Sequence, residues 1–423
     1  MPVWFRALYS LLWLVALPLV FARLWWRGRR DSRYREHWAE RIGNGGFGGG
    51  MDVWIHAVSV GEARASAPLV KLLIQQSKRI LFTCTTPTGR ETLTALYGET
   101  HSAQIIVRYL PFDAPFLMSR FIRKARPKLG ILMETELWPG LCGEAKRAAM
   151  PLWMVNARLS ERSARGYARG RALTRAMLAC LAGIAAQTNA HAARFLALGS
   201  TNVHVVGNLK FDLQISPQFQ QRADALTEHI TGGAATSPYW VAGVTRRGEE
   251  AMLLTALAEH PLRSNAMAVI VPRHIERCPQ VIDDARKLGF RVARRSGGRI
   301  PAGTEVVVGD SMGEMLSYYA NARAVVMGGT LGNTGGQNLI EPCAVGAPVI
   351  LGPSTYNFQQ AADEAITAGA AIRAKDARDA LSYVLDWISD EPSRKLASGK
   401  ARQFVAKHRG ATERTLALLQ ANL

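Results

Sequence analysis

Several stretches of this chain place acids, bases or anion-binding groups directly after short apolar runs. The first is Ile55-His56-Ala57-Val58-Ser59-Val60-Gly61-Glu62, where an apolar run meets a glycine turn and a helix opens at Glu62. Gly61 permits the sharp turn, and Glu62 follows where a carboxylate could accept a proton from an attacking hydroxyl. The plainer alternative is a first-turn glutamate favoured by the helix dipole, which would lower its pKa and weaken it as a base. The second stretch, Leu132-Met133-Glu134-Thr135-Glu136-Leu137-Trp138-Pro139, carries two carboxylates two residues apart. On an extended chain these point the same way; helix capping by Thr135 and Glu136 is the alternative. Trp138 is expected in the core rather than stacked on a sugar. The third, Gly207-Asn208-Leu209-Lys210-Phe211-Asp212, offers Lys210 either as a point charge for a phosphate across a cleft or as a surface lysine paired with Asp212.

The second half of the chain reads as a nucleotide site. Val271-Pro272-Arg273-His274 ends an apolar run with an arginine suited to bidentate phosphate binding. Gly309-Asp310-Ser311-Met312-Gly313-Glu314-Met315 joins a strand, a glycine turn and a helix start, which offers backbone N–H groups to an anion or a base edge. The stretch from Gly328-Gly329-Thr330 through Gly335-Gly336-Gln337-Asn338-Leu339-Ile340-Glu341-Pro342 lets the backbone approach a phosphate closely. In it Asn338 and the helix start behind it can bind oxygens, and Glu341 can accept ribose hydroxyls. Gly352-Pro353 and Asn357-Phe358 close the set. Each is a weak signal alone; together with Arg273 they favour a nucleotide over a series of plain turns. By contrast, Gly43-Asn44-Gly45-Gly46-Phe47-Gly48 fits GxGxxG but precedes a strand instead of following one, so it is expected to be a flexible linker.

The elements that must position these groups alternate strand and helix. Strand candidates are 53–58, 80–85, 129–133, 152–156, 183–187 and 203–206, then 239–242, 268–271, 305–308, 324–327 and 348–351. Such alternation implies βαβ units and parallel sheets, whose ligands sit outside the carboxyl ends of the strands. The expected fold class is α/β: two Rossmann-like parallel-sheet domains facing a central cleft, after an N-terminal hydrophobic helix. The polar stretch 214–238 marks the boundary, giving an anchor at 1–30, a first domain at 31–230 and a second domain, with the nucleotide site, at 231–423.

Residues 7–22 carry no charge; Arg6 and Arg23 bracket them, with Trp4, Phe5, Trp25 and Trp26 near the ends. Extending the segment to 3–26 allows a span if the arginines snorkel. No small-residue cleavage site follows, so an uncleaved anchor is expected; the alternative is an apolar helix docked on the protein itself. Arg27, Arg29, Arg30, Arg33, Arg35 and Arg41 outnumber Asp31, Glu36 and Glu40 in the next segment, as in a cytoplasmic flank or a solvated basic helix. The whole chain of 423 residues has 52 Lys and Arg against 33 Asp and Glu, a net charge of +19 that favours anionic partners. Its five cysteines form no CxxC pair, so neither a disulfide framework nor a zinc site is readable, and a reducing compartment is expected. A nucleic-acid binder would interleave aromatics with basic residues on one face; here the aromatics concentrate in the anchor.

In order along nearly the whole chain, the motifs His56-x-x-Ser59-x-Gly61-Glu62, Thr86-Pro87-Thr88-Gly89, Glu134-Thr135-Glu136-Leu137-Trp138-Pro139, Asn156-Ala157-Arg158-Leu159-Ser160, Lys210-Phe211-Asp212, Pro272-Arg273-His274, Gly309-Asp310-Ser311-Met312-Gly313-Glu314 and Asn338-x-x-Glu341 stand out. This set resembles the bacterial transferases of 3-deoxy-D-manno-octulosonic acid (Kdo). The resemblance implies a GT-B fold, CMP-Kdo as donor, a lipid A precursor (lipid IVA) as acceptor, and a place on the cytoplasmic side of the inner membrane in lipopolysaccharide biosynthesis. It implies Glu62 as general base, with Glu134 and Lys210 assisting the transition state. Pro272, Arg273, Met312, Gly313, Glu314, Asn338, Leu339, Ile340 and Glu341 would hold CMP. No metal or other cofactor, and no nucleic acid, is expected. The chain departs from the family pattern at Gln337, where a histidine is usual, at Gly140, where an asparagine is usual, and at Thr188-Asn189-Ala190-His191, which lacks acidic residues. A GT-B transferase or epimerase using UDP-GlcNAc is the alternative enzyme.

Overall fold

The computed structural model describes residues 3–98, 101–233 and 238–423. The chain divides into two compact units, Met1–Asp212 with Arg409–Leu423, and Leu213–His408. Each is built on seven parallel strands. In the first unit these are β1 Val53–His56, β2 Ile80–Cys84, β3 Ile105–Tyr109, β4 Leu129–Met133, β5 Leu152–Ala157, β6 Gly183–Ala186 and β7 Val203–Val205, in the order β3-β2-β1-β4-β5-β6-β7. In the second they are β8 Tyr239–Thr245, β9 Met267–Pro272, β10 Val292–Arg294, β11 Val306–Val308, β12 Val325–Met327, β13 Val349–Leu351 and β14 Ala371–Arg373, in the order β10-β11-β9-β8-β12-β13-β14.

The central strands are apolar at nearly every position because helices cover both faces of a parallel sheet. Every residue of β1, β2, β4 and β5 is buried. Helices begin where the sequence supplies caps: Ser59, Thr86, Ser160 and Thr188 each accept from the N–H three residues on. Pro87, Pro115 and Pro139 occupy first turns, where their missing N–H is not needed. In each sheet the chain winds outward in two directions from one strand. This puts the switch points between β1 and β4 and between β8 and β12, where open α/β sheets bind ligands.

Three strands escaped the sequence reading: β3, β10 and β14. All three lie at sheet edges, where strands are short and tolerate charge, and each carries an arginine (Arg108, Arg294, Arg373) that interrupts the apolar run. The expected boundary at 230/231 is displaced to 212/213. The helix Phe219–Ile230 belongs to the second unit, where Asn321 Nδ2 donates to Asp224 Oδ1 at 3.0 Å and to Thr227 Oγ1 at 2.9 Å. The last fifteen residues return to the first unit, which local periodicity cannot reveal. Asp212 caps the helix Ala411–Leu419, taking N–H bonds from Gly410 at 2.7 Å and Thr412 at 2.6 Å. Trp153 Nε1 donates to Asn422 Oδ1 at 3.0 Å from the sheet beneath.

The Gly43–Gly48 segment is not the flexible linker the sequence suggests. Phe47 is buried and packs edge-on to Phe121 with centroids 4.9 Å apart, and Arg108 Nε donates to the Gly46 carbonyl at 2.8 Å. Nor is the preceding basic segment solvated throughout. Glu40 and Arg41 are both buried; Glu40 pairs with Arg90 and accepts from the Tyr109 N–H, while the Arg41 guanidinium lies over the Tyr109 ring.

The N-terminal helix Val3–Arg27 runs through Pro18 and is about 37 Å long at 1.5 Å per residue. One side docks on the first unit. Arg6 pairs with the buried Glu144, Tyr9 donates to Asp113 Oδ2 at 2.9 Å, and Trp13 and Phe21 pack on Phe112. The other side leaves Trp4, Leu8, Leu11, Leu12, Val15 and Leu19 exposed. Asp113 also accepts the Gly140 and Leu141 N–H groups at 2.9 and 2.7 Å, capping the helix Pro139–Arg147. A side chain at position 140 would stand 2.2 Å from the Asp113 carbonyl, which accounts for glycine there.

Candidate active site

At the β1–β4 switch point the strand ends deliver two carboxylates and a lysine. Glu62 sits in the first turn of the short helix Val60–Ala65 and is only 9% exposed. Its Oε1 accepts from Ser59 Oγ at 2.7 Å and its Oε2 from the Val58 N–H at 2.8 Å, while its own N–H donates to Ser59 Oγ at 3.2 Å. This is a close variant of the reciprocal capping box. The capping alternative weighed from sequence is therefore present in the geometry, but it is not all that acts on Glu62. Burial raises the Glu62 pKa above the ordinary carboxylate value and the Glu134 charge adds to the rise. The Ser59 and Val58 hydrogen bonds and the Lys210 ammonium oppose it. Desolvation is thus the largest influence on this carboxyl, and it acts against a weakened base.

Glu134 follows β4 in a left-handed conformation, φ 58°, a strained state for a non-glycine residue. Its N–H bonds the Val155 carbonyl at 2.9 Å, its Oε1 accepts from Lys210 Nζ at 3.0 Å, and Arg158 Nε stands 3.8 Å from its Oε2. Lys210 thus pairs with Glu134, and Asp212, its expected partner on the surface reading, caps the C-terminal helix instead. Asn156, also left-handed at φ 55° beside the irregularity in β5, accepts the Leu209 N–H at 3.0 Å and so fixes the turn that presents Lys210. Glu136 accepts from Trp138 Nε1; burial pushes its carboxyl up to about 7, with Glu62 and Glu134 adding to the rise. Trp138 is half-buried against the core, as expected. His56 is fully buried with Nδ1 on Thr83, and burial depresses its pKa to about 4, so it is neutral near pH 7 and ties β1 to β2.

The second unit repeats the arrangement at the β8–β12 switch point. β8 is irregular between Gly243 and Thr245, leaving Val244 at φ 57°, an outlier for a β-branched residue. The Val244 carbonyl comes so close to Gly328 that a Cβ there would stand 2.3 Å away. Glu249, which the sequence reading missed, organises the loop after β12. Its Oε2 takes the N–H of Arg246 at 2.8 Å and of Gly329 at 2.6 Å; its Oε1 takes those of Leu331 at 2.9 Å and Gly332 at 3.1 Å. Its signal in the sequence was a Gly-Glu pair opening a helix after a strand, the same as for Glu62.

The residues expected around a nucleotide are distributed as follows. Arg273 leaves the end of β9 with its N–H on the Thr245 carbonyl at 3.0 Å, and its Nη1 donates to Gln337 Oε1 at 3.1 Å. Pro272, Leu339 and Ile340 are buried, so their side chains belong to the core and only backbone groups could meet a ligand. Gly313 turns at φ 83°, Met312 is exposed, and Glu314 is held by Ser311 Oγ and by Arg295 Nη2 at 3.1 Å. Asn338 Nδ2 donates to Glu341 Oε1 at 3.1 Å, while its Oδ1 accepts the Ile340 N–H at 3.2 Å. An open depression of about 460 Å³ lies beside the loop, lined by Leu331, Asn333, Ser354 and Tyr356 among others.

Comparison with known proteins joins these observations to a family. Residues 36–213 match the family described as 3-deoxy-D-manno-octulosonic-acid transferase (kdotransferase). The chain is 39% identical to the 3-deoxy-D-manno-octulosonic acid transferase of Bordetella pertussis, over 98% of this chain and 99% of that one. To the Haemophilus influenzae transferase of the same name it is 35% identical, over 99% of each. Of the solved structures, the UDP-GlcNAc 2-epimerase from Neisseria meningitidis bound to UDP-GlcNAc aligns over 88% of this chain and 100% of its own, with a TM-score of 0.62 at 13% identity. That likeness shows the two-domain GT-B fold and nothing finer. Near-full-length identity to two transferases of one name settles the assignment: the chain belongs to the Kdo transferase family and is a glycosyltransferase.

Proposed function

We propose that this chain moves Kdo from CMP-Kdo to a hydroxyl of a lipid A precursor, lipid IVA, in lipopolysaccharide biosynthesis, in a single displacement that inverts the anomeric centre. The observation that carries the reading is the buried Glu62 carboxylate beside the Glu134–Lys210 pair. In the proposed step Glu62 takes the acceptor's proton as its oxygen attacks the anomeric carbon. Positive charge grows on the sugar and negative charge on the departing cytidylate phosphate. The Glu134 carboxylate favours the first, and fixed cations with aligned N–H groups favour the second. Arg273, the 312–314 turn and the Asn338–Glu341 pair are the groups proposed to hold CMP, Pro272, Leu339 and Ile340 acting through their backbone. The Lys210 ammonium opposes the rise in the Glu62 pKa.

The membrane reading is part of the proposal. The apolar side of Val3–Arg27 and the arginines after it suit an anionic bilayer surface. The contacts of Arg6, Tyr9, Trp13 and Phe21 with the first unit favour a helix lying in the interface over one that crosses. The five cysteines are free and buried, which suits the cytoplasmic side.

Glu62→Ala is expected to lower kcat/KM by about 10²- to 10⁴-fold, the usual worth of a general base, with an unchanged circular dichroism spectrum. Turnover like the wild type would remove Glu62 from the mechanism. The pH dependence follows from the sign of its shift. A base works deprotonated, so a raised pKa places the acid limb of kcat/KM above the ordinary value of 4.5. Lys210→Met removes a charge that lowers this pKa, and the limb is expected to move to higher pH. A limb left in place would show that Lys210 does not tune the base. For the membrane helix, the double substitution Leu11→Glu, Val15→Glu on its exposed side is expected to abolish co-sedimentation with anionic vesicles while the thermal midpoint holds. Undiminished vesicle binding would contradict the interfacial placement.

A further inference from the structure

We infer that Gln337 is a positioning residue for the donor, holding the Arg273 guanidinium in place through a neutral acceptor that itself adds no opposing charge where a phosphate would bind. This rests on the proposed reading that Arg273 meets the nucleotide phosphate. Arg273 is an exposed side chain at the end of β9, and ordering such a side chain on binding costs affinity. The Gln337 side-chain oxygen accepts from Arg273 Nη1 at 3.1 Å and so restricts the plane of the guanidinium before any ligand arrives.

Gln337 can do this because it is itself fixed. It is 9% exposed and follows Gly335 and Gly336, both at positive φ, at 83° and 82°. The amide nitrogen packs against Gly329, where an added Cβ would come within 3.2 Å of it. Gly329 is anchored in turn by its N–H bond to the buried Glu249 at 2.6 Å and by the Gly336 N–H on its carbonyl at 2.7 Å. The chain of support thus runs from a buried carboxylate through the glycine-rich loop to one side-chain amide and then to the arginine.

The residue type matters as much as the place. A carboxylate would accept from Arg273 as well but would cancel its charge and repel an incoming phosphate. An imidazole here would gain a proton near pH 6.5 and then turn a donor toward the guanidinium. An amide accepts at every pH and carries no charge, so this position makes no titrating contribution to donor affinity.

The test uses the full-length protein in detergent, with CMP affinity by calorimetry and donor KM and kcat by turnover. Arg273→Ala is expected to lose most CMP binding. Gln337→Met keeps the volume and removes the acceptor; it is expected to weaken CMP binding and raise donor KM about tenfold, with kcat changed much less and the thermal midpoint unchanged. Gln337→Glu keeps shape and acceptor, so a merely structural glutamine would tolerate it, whereas the inference expects CMP binding at least as weak as in Gln337→Met. Wild-type CMP affinity in both Gln337 variants, with Arg273→Ala impaired, would overturn the inference and leave the donor site standing. Wild-type affinity in Arg273→Ala would overturn the donor reading and this inference with it.

Discussion

The chemistry proposed for this protein depends on one carboxylate kept out of water at the switch point of a parallel sheet. Strands β1 and β4 are neighbours whose connections leave in opposite directions, so the chain between their carboxyl ends has no helix laid across it. Glu62 occupies that position, and the N–H of Val58 and the hydroxyl of Ser59 hold it there. Desolvation makes the carboxylate a stronger base, and the Ser59 and Val58 hydrogen bonds, with a smaller effect of the Lys210 ammonium, oppose the rise. The left-handed backbone of Glu134 and Asn156 is strain retained to bring Glu134 and Lys210 together.

The second unit uses the same local design to a different end. Gly248-Glu249 opens a helix after β8 as Gly61-Glu62 does after β1. Glu249 takes four backbone N–H groups, whereas Glu62 takes one N–H and one hydroxyl. Four donors tie the carboxylate into a loop; two orient a carboxylate and leave it fewer bonds. The same pair of residues therefore serves as scaffold in one sheet and as candidate base in the other. The difference lies in how many N–H groups the neighbouring loop turns toward it.

That contrast marks the limit of what could be read from residues alone. Apolar runs of four to six residues revealed the central strands because both of their faces are buried, and the groups after them revealed where the sites would be. The edge strands β3, β10 and β14 stayed hidden because Arg108, Arg294 and Arg373 sit in them and interrupt the apolar runs. Gly43–Gly48 read as a linker because nothing local shows that Phe47 has Phe121 as a partner 74 residues on. The return of the last residues to the first unit, the pairing of Lys210 with Glu134 and the hold of Gln337 on Arg273 are all long-range. They depend on which strand ends lie side by side, not on spacing along the chain.

The family assignment says which sugar is moved, and the account of how rests on donor and acceptor both being used by this chain. The most direct measurement is incubation of the purified full-length protein with CMP-Kdo and a tetraacylated lipid A precursor, with the lipid read by mass spectrometry. The account predicts lipid carrying added Kdo, formed together with CMP, and no product when UDP-GlcNAc replaces the donor. An unmodified lipid in the presence of CMP-Kdo, with sugar transferred from the UDP donor instead, would contradict it.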